Sequence, residues 1–248
     1  MSAQSTIYFN RLEIKYIVDR TTRTALSRDL RAFMRPDTHA GDDGGYTVRS
    51  LYFDTADYMA YHDKMAGTAI RHKLRARAYG EQPGPTPHVR LEVKSRYLNY
   101  IKKITVDVDS DEYCDIQDCL RRRRLPPDFL RRHNGASHEF FRLQQQLNME
   151  PVILIQYRRE AFERREVNRV RVNFDDELVA TRNLDLLGSL RGARRMLQHG
   201  HAIFEIKVDN TLPYWLHTLI SKYNLQNEAV SKYCYAVRSE ARLSAIKR

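Results

Sequence analysis

The chain has 248 residues, with Lys+Arg 42 against Asp+Glu 31 and a formal net charge of +11. Apolar residues make up 42% and aromatics 10%, and only 10 Gly and 8 Pro are present, which excludes a disordered, collagen-like or linker-rich chain. The positive balance points to an anionic partner, namely nucleic acid, lipid headgroups, or a phosphate-rich molecule or polymer.

Alternation with period 2 predicts a strand over 11–18, with Arg11, Glu13 and Lys15 on one face and Leu12, Ile14 and Tyr16 on the other. Asp19 is suited to cap a helix over 20–34, where Leu26, Leu30 and Phe33 recur at helical spacing. Residues 46–53 are rich in strand formers and end at Asp54-Thr55, either of which can cap a short helix reaching 65. Over 70–79, Arg71, Lys73, Arg75 and Arg77 oppose Ile70, Leu74, Ala76 and Ala78. A loop is expected at 80–88. Over 89–96, Arg90, Glu92 and Lys94 oppose Val89, Leu91 and Val93, and over 100–108 Lys103 and Thr105 share a face.

Helices are expected over 111–123 and 137–147. The strand at 151–162 carries Ile153, Ile155, Tyr157 and Arg159 in phase. That at 169–177 puts Arg169, Arg171, Asn173, Asp175 and Glu177 opposite Val170, Val172 and Phe174. Residues 183–201 read as a loop or insertion. A strand at 203–209 sets Glu205, Lys207 and Asp209 against Phe204, Ile206 and Val208, and helices over 213–223 and 230–243 complete the chain. No Ser/Gly-rich linker divides it, so a single α+β domain over 1–248 is expected.

The tripeptide Glu-(Ile/Val)-Lys occurs three times, at Glu13-Ile14-Lys15, Glu92-Val93-Lys94 and Glu205-Ile206-Lys207. Shuffling this composition gives roughly 0.06 such tripeptides, so three require a cause. In a strand, residues i and i+2 point the same way, so each copy sends a carboxylate and an ammonium to one side and an aliphatic group to the other. A solvated sheet face would carry more Thr, Ser and Gln among its charges. About eight such strands suffice to close a barrel around a charged lumen, with the apolar face packed under helices. A charged lumen is costly unless an anion and a metal fill it. Arg provides a planar fork and Lys a point charge for linked phosphates. Interleaved carboxylates suit a hard divalent cation that bridges phosphate oxygens.

The order Arg11-x-Glu13-x-Lys15, Ser50-Leu51-Tyr52-Phe53-Asp54, Arg75-x-Arg77-x-Tyr79-Gly80 and Glu92-x-Lys94 resembles the VTC domain. So does the later series Tyr157-x-Arg159-x-Ala161-Phe162, Arg169-x-Arg171, Glu205-x-Lys207 and Ser231-Lys232-Tyr233. VTC domains are the polyphosphate polymerase domains among the triphosphate tunnel metalloenzymes, and the likeness covers nearly the whole chain. It implies an eight-stranded antiparallel β-barrel, a tunnel surrounded by helices. It also implies transfer of the terminal phosphate of ATP, or another triphosphate, to polyphosphate with Mn2+ or Mg2+. By matching positions, Lys15, Arg75, Arg77, Lys94, Arg159, Arg171 and Lys232 would act on the phosphates. Arg11, Lys73, Lys103, Arg169 and Lys207 share the charged face as further substrate contacts. Glu205 would lead the metal ligands, with Glu13, Glu92 and Glu177 as further candidates. In one departure, Ala229 stands where the catalytic type often has a second lysine, three positions before Lys232; some VTC domains are inactive partners of active ones.

Other signals are weaker. His199-Gly200-His201 is the one close histidine pair, and surface histidines are the ordinary case. Cys114, Cys119 and Cys234 form no CxxC motif and no disulfide framework. Arg121 to Arg124 and Arg131-Arg132 read as solvated helix ends or as a patch attracting a polyanion or headgroups. Trp215 and Leu219 read as core. No P-loop signature is present. The longest apolar run, at 151–155, is too short to span a bilayer, and the N-terminus lacks a secretory pattern. A reducing cytoplasm is therefore expected, with peripheral attachment at the membrane's inner face and a membrane-protein partner left open. A polymerase, a tripolyphosphate hydrolase of the same fold and a non-catalytic polyphosphate or inositol-phosphate binder all remain. Nucleic acid is not the expected partner, because in-phase carboxylates interrupt the cations.

Overall fold

The alternating segments pair into one antiparallel sheet in the computed structural model, which describes residues 3–8, 11–38, 41, 44–80, 88–98, 100–133, 135–164, 170–209 and 211–246. In chain order, β1 (Ala3–Tyr8) and β2 (Arg11–Val18) precede α1 (Arg20–Leu30), β3 (Arg35–Pro36), β4 (Tyr46–Asp54) and α2 (Met59–Ala66). Then come β5 (Ile70–Tyr79), β6 (Val89–Tyr97) and β7 (Tyr100–Val108), and the helices α3 (Ser110–Arg122), α4 (Pro127–Arg132) and α5 (Gly135–Gln146). The last part holds β8 (Glu150–Arg164), β9 (Val170–Thr181), β10 (Arg194–Arg195), β11 (Ala202–Asp209), α6 (Tyr214–Lys222) and α7 (Lys232–Ile246).

The strand order is β1-β7-β6-β5-β4-β8-β9-β11-β2, with β3 and β10 paired to β8 and β9 at the side. This corrects the expected eight-stranded closed barrel. The sheet has 11 strands, and among the described residues no ladder joins β1 to β2. The two edges are nevertheless near each other. Tyr8 and Arg11 are consecutive strand ends, and three residue steps span at most about 11 Å. Glu13 on one edge strand also reaches Lys94 of β6, at 3.2 Å. The sheet is thus a tightly curled trough whose rim is not zipped by backbone hydrogen bonds.

The convex face is apolar, as the alternation predicts. Leu74, Ala76 and Ala78 of β5, Leu91 and Val93 of β6, and Val106 and Val108 of β7 pack with Tyr113, Ile116 and Leu120 of α3 and Phe140 and Phe141 of α5. On the other flank, Val172 and Phe174 of β9 and Phe204 and Ile206 of β11 pack under Leu26 and Leu30 of α1 and Leu216 and Leu219 of α6. Each large apolar side chain buried in this way contributes roughly 1.5–3 kcal/mol. Of the two residues read as core, Leu219 is buried, whereas Trp215 is half-buried at the margin and stacks on the exposed Phe33 at 4.9 Å.

Asp19 caps α1 by accepting the Thr22 N–H at 2.8 Å. The helix stops at Leu30 rather than 34, because Arg35-Pro36 leaves in an extended conformation to pair with β8 and proline forbids helical continuation. α4, β1, β3 and β10 are short or lie in stretches without clear periodicity, and the sequence pattern does not mark them.

β8 and β9 slip register between Gln156 and Arg158, and Glu177 sits in the bulge with φ 53. The extra residue breaks the alternation. Leu178 takes the inward position, and Glu177 turns out to solvent. A left-handed conformation costs an L-residue about 1–2 kcal/mol, whereas glycine adopts it freely but orders at an entropic cost of about 0.5–1 kcal/mol. Glu177→Gly is therefore expected to raise stability by about 0.5 kcal/mol, read as a higher urea midpoint at unchanged m-value; a lower midpoint would contradict the assignment of strain.

Candidate anion-binding tunnel

Strand register places the charged side chains on the concave face. Lys73, Lys94 and Lys103 lie directly opposite one another on β5, β6 and β7. Arg75, Glu92 and Thr105 form the adjacent row. Like charges facing across a ladder are destabilising, so a lysine row is a poor choice for a plain solvated surface.

Four carboxylates organise the cations, three of them buried. Glu92 is 2% exposed, and its oxygens meet Arg75 Nε at 2.6 Å, Lys103 Nζ at 2.5 Å and Arg77 Nε at 3.6 Å. Burial favours its protonated form, but Arg75, Arg77 and Lys103 outweigh this and hold its pKa well below the usual carboxylate range. Glu205 meets Lys15 at 3.0 Å and Lys207 at 3.1 Å, and accepts Asn173 Nδ2 at 3.2 Å. Burial opposes its charge, but Lys207, Lys15 and Lys232 also keep it well below that range. Asp175, fully buried, grips Arg159 through Nε and Nη2 at 2.6 and 2.9 Å and takes Lys232 Nζ at 2.5 Å. Glu13 bridges Lys15 and Lys94.

The cations exceed these carboxylates, and two lysines show it. Lys73 has no carboxylate partner among the described residues, and burial brings its pKa down to about 8. Lys207 is likewise lowered to about 8 by burial, with Arg159 and Lys15 reinforcing the effect against Glu205 and Glu13. Tyrosine hydroxyls complete the lining. Arg75 donates to Tyr52 and Arg77 to Tyr79, both at 3.4 Å. Burial pushes the Tyr79 phenol up, but Arg77 and Arg90 more than reverse this, to about 8.

Of the residues expected from sequence, Lys15, Lys73, Arg75, Arg77, Lys94, Lys103, Arg159, Lys207, Lys232, Glu13, Glu92 and Glu205 converge in this network. Arg171 donates to Asp37 at 2.8 Å. Glu177 stands outside the network, on the bulge. Arg169 and the Arg11 side chain lie outside the described residues. Asp175 was the missed member, although it stands in phase with Arg171 and Asn173, and the alternation signalled it as clearly as it did Glu177. The histidine pair belongs to no metal-ligating cluster among the described residues, and the basic helix ends are tied into ion pairs such as Arg122–Asp118 and Arg123–Glu150.

A model of the VTC domain matches residues 10–240. The chain belongs to the VTC-domain family. No curated protein sequence matches it. Among solved structures, a candidate adenylate cyclase from Bacillus halodurans aligns at 12% identity with TM-score 0.50, covering 91% of this chain and 95% of its own. The PH1819 protein from Pyrococcus horikoshii aligns at 11% identity with TM-score 0.46, covering 94% and 99%. The first likeness supports the tunnel-type fold.

The family implies a divalent metal. Among the described residues no three carboxylate, His or Cys side chains cluster as a ready cage. Glu13 and Glu205 nevertheless fit such an ion. Their carboxylates share Lys15, both supply hard oxygens, and Mg2+-like ions use one or two carboxylates plus phosphate oxygens. Glu92 stands apart from this pair, with Arg75, Arg77 and Lys103 around it and, among the described residues, no cation shared with Glu13 or Glu205.

Glu92→Gln removes the buried counter-ion of three cations, Arg77 the most enclosed of them, and is expected to cost this VTC domain about 3 kcal/mol in urea unfolding. Added tripolyphosphate should return part of that loss. Glu92 and Glu205 have folded pKa values below their ordinary 4.5, so their stabilisation is complete above that value and drains as pH falls through the folded values. The variant should therefore show a shallower acid dependence of stability; an unchanged slope would count against the Glu92 network.

Proposed function

We propose that this protein binds the phosphate chains of a nucleoside triphosphate and of polyphosphate in the concave trough, and lengthens polyphosphate from the terminal phosphate of ATP. The observation that carries the reading is the excess of cations over carboxylates on the concave face, including the half-buried lysine row Lys73-Lys94-Lys103, in a curled sheet of the VTC family. A single phosphate would not use such a row; a chain of linked phosphates would.

Each group then has a task. Arg75, Arg77 and Arg159 present guanidiniums for non-bridging oxygens, and Lys15, Lys73, Lys94 and Lys103 neutralise charge along the chain. Lys232 closes the trough from α7. In the transfer, an oxygen of the polyphosphate end attacks the γ-phosphorus, the bond from γ-phosphorus to the bridging oxygen breaks, and ADP leaves with that electron pair. This chemistry needs alignment and charge neutralisation more than a protein nucleophile. A divalent cation held by Glu205 and Glu13 would neutralise charge on the phosphate oxygens. Ala229 lines a cavity of about 250 Å³ together with Lys64, Glu228 and Arg238. Ala229 also favours one other reading, a polyphosphate-binding module without turnover.

A phosphorus NMR time course with ATP, Mn2+ and a tripolyphosphate primer separates these. Growth of internal-phosphate signal with ADP is the expected result, and Glu205→Ala should abolish it while leaving tripolyphosphate binding within about threefold. Orthophosphate alone would replace polymerisation by hydrolysis, and no change in a protein that still binds would leave a binding module. Arg75→Ala with Arg77→Ala should weaken tripolyphosphate affinity at least tenfold.

Binding has a pH signature as well. An anion beside Lys73 and Lys207 favours their protonated forms, so above about pH 8 binding must take up protons and affinity falls. Calorimetry at pH 8.5 in two buffers of different ionisation enthalpy should record net proton uptake; no uptake would remove these two lysines from the site.

A further inference from the structure

Asp54, fully buried at the end of β4, has no cation paired with it among the described residues. Its Oδ1 accepts the backbone N–H groups of Thr55 and Ala60, each at 2.8 Å. Its Oδ2 accepts the Tyr61 N–H at 3.1 Å and the hydroxyl of Tyr233. Ala60 and Tyr61 belong to the first turn of α2, which Tyr58 leaves without a side-chain cap. A carboxylate from the preceding strand thus satisfies those free donors and complements the helix dipole. The same carboxylate then holds α7.

Tyr233 is 3% exposed, and its ring stacks on Tyr52 at 5.3 Å, whose hydroxyl accepts from Arg75. Lys232, one residue earlier on α7, reaches in a different direction. Its ammonium lies 2.5 Å from Asp175 and 5.0 Å over the Tyr157 ring. Consecutive helix residues project about 100° apart, so fixing Tyr233 sets the roll of the first turn and with it the base of the Lys232 stem. A lysine stem loses up to about 2 kcal/mol of rotamer entropy when ordered, so an anchored base matters to where its ammonium rests.

We infer that Asp54 and Tyr233 are positioning residues for Lys232, joining strand β4, helix α2 and helix α7 so that the Lys232 ammonium is held on the trough for a phosphate chain. Its bearing on binding rests on the functional reading above; the placement of Lys232 does not. Asp54 and Tyr233 act through Lys232 and touch no phosphate themselves.

Two readouts test this. First, the Lys232 amine is acetylated with a small amine-reactive reagent and followed by peptide mass spectrometry, without ligand. Tyr233→Phe, which keeps the stacked ring and removes only the hydroxyl, should speed modification of Lys232 at least fivefold relative to Lys222. Second, tripolyphosphate affinity is measured for wild type, Tyr233→Phe, Lys232→Met and the double variant. Tyr233→Phe should weaken binding about fivefold in the wild-type background and less than twofold in the Lys232→Met background. Asp54→Asn, which retains an acceptor for the α2 backbone, serves if Tyr233→Phe does not fold. Equal losses in both backgrounds, or unchanged Lys232 modification in a folded variant, would overturn the inference. Faster modification in a protein that binds no tripolyphosphate would leave the positioning role standing and sink the functional reading instead.

Discussion

The structure depends on keeping like charge inside a folded protein. A buried ammonium or guanidinium without a partner costs several kcal/mol, and the concave face gathers cations from several strands and from α7. Glu92, Asp175 and Glu205 make this tolerable by each meeting two or three cations from different elements. They act as electrostatic rivets between neighbouring strands. The compensation is incomplete, and Lys73 is the plainest residue of the imbalance. A site built in this way is preorganised for polyanions, because the cations are already placed and desolvated before any ligand arrives.

Another part of the concave face is apolar. Val48, Ile153, Ile155, Leu178, Ala180 and Ile203 form an apolar floor, and Val230, Tyr233 and Ala236 of the α7 segment settle on it. The bulge at Glu177 lies in the strand that crosses between the two regions. It turns Leu178 rather than an acid toward that floor, so the same distortion that removes a carboxylate from the site completes the seat of the helix that delivers Lys232. The Glu228 N–H, donated to the Lys15 carbonyl at 2.9 Å, ties the approach to α7 directly to β2.

Much of this was legible in the sequence. The Glu-x-Lys and Arg-x-Arg spacings marked the strand faces and most of the charged network, because a strand's period of two is imposed by backbone geometry and tolerates no drift. Failures arose where the information is not periodic. A bulge shifts phase by one residue with no marker, since Glu177 sits where glycine would have announced the turn. Asp175 was visible on the correct face, yet nothing local distinguished it from Glu177. Asp54 or Thr55 read as a helix cap, and both accept first-turn N–H groups of α2 although Tyr58 holds the N-cap position, but the bond of Asp54 to Tyr233 joins residues far apart in the chain and has no local trace. Closure is likewise a property of edges, and a strand pattern says nothing about whether two edges find each other.

The unzipped rim has a mechanical consequence. Where a laddered barrel has a circumference fixed by its rungs, this trough has a seam at which, among the described residues, the Glu13–Lys94 ion pair reaches across. An ion pair has no register and accepts small changes in separation, whereas a row of backbone hydrogen bonds breaks in discrete steps. The wall is therefore compliant along that line, with a stiffness that ionic strength tunes.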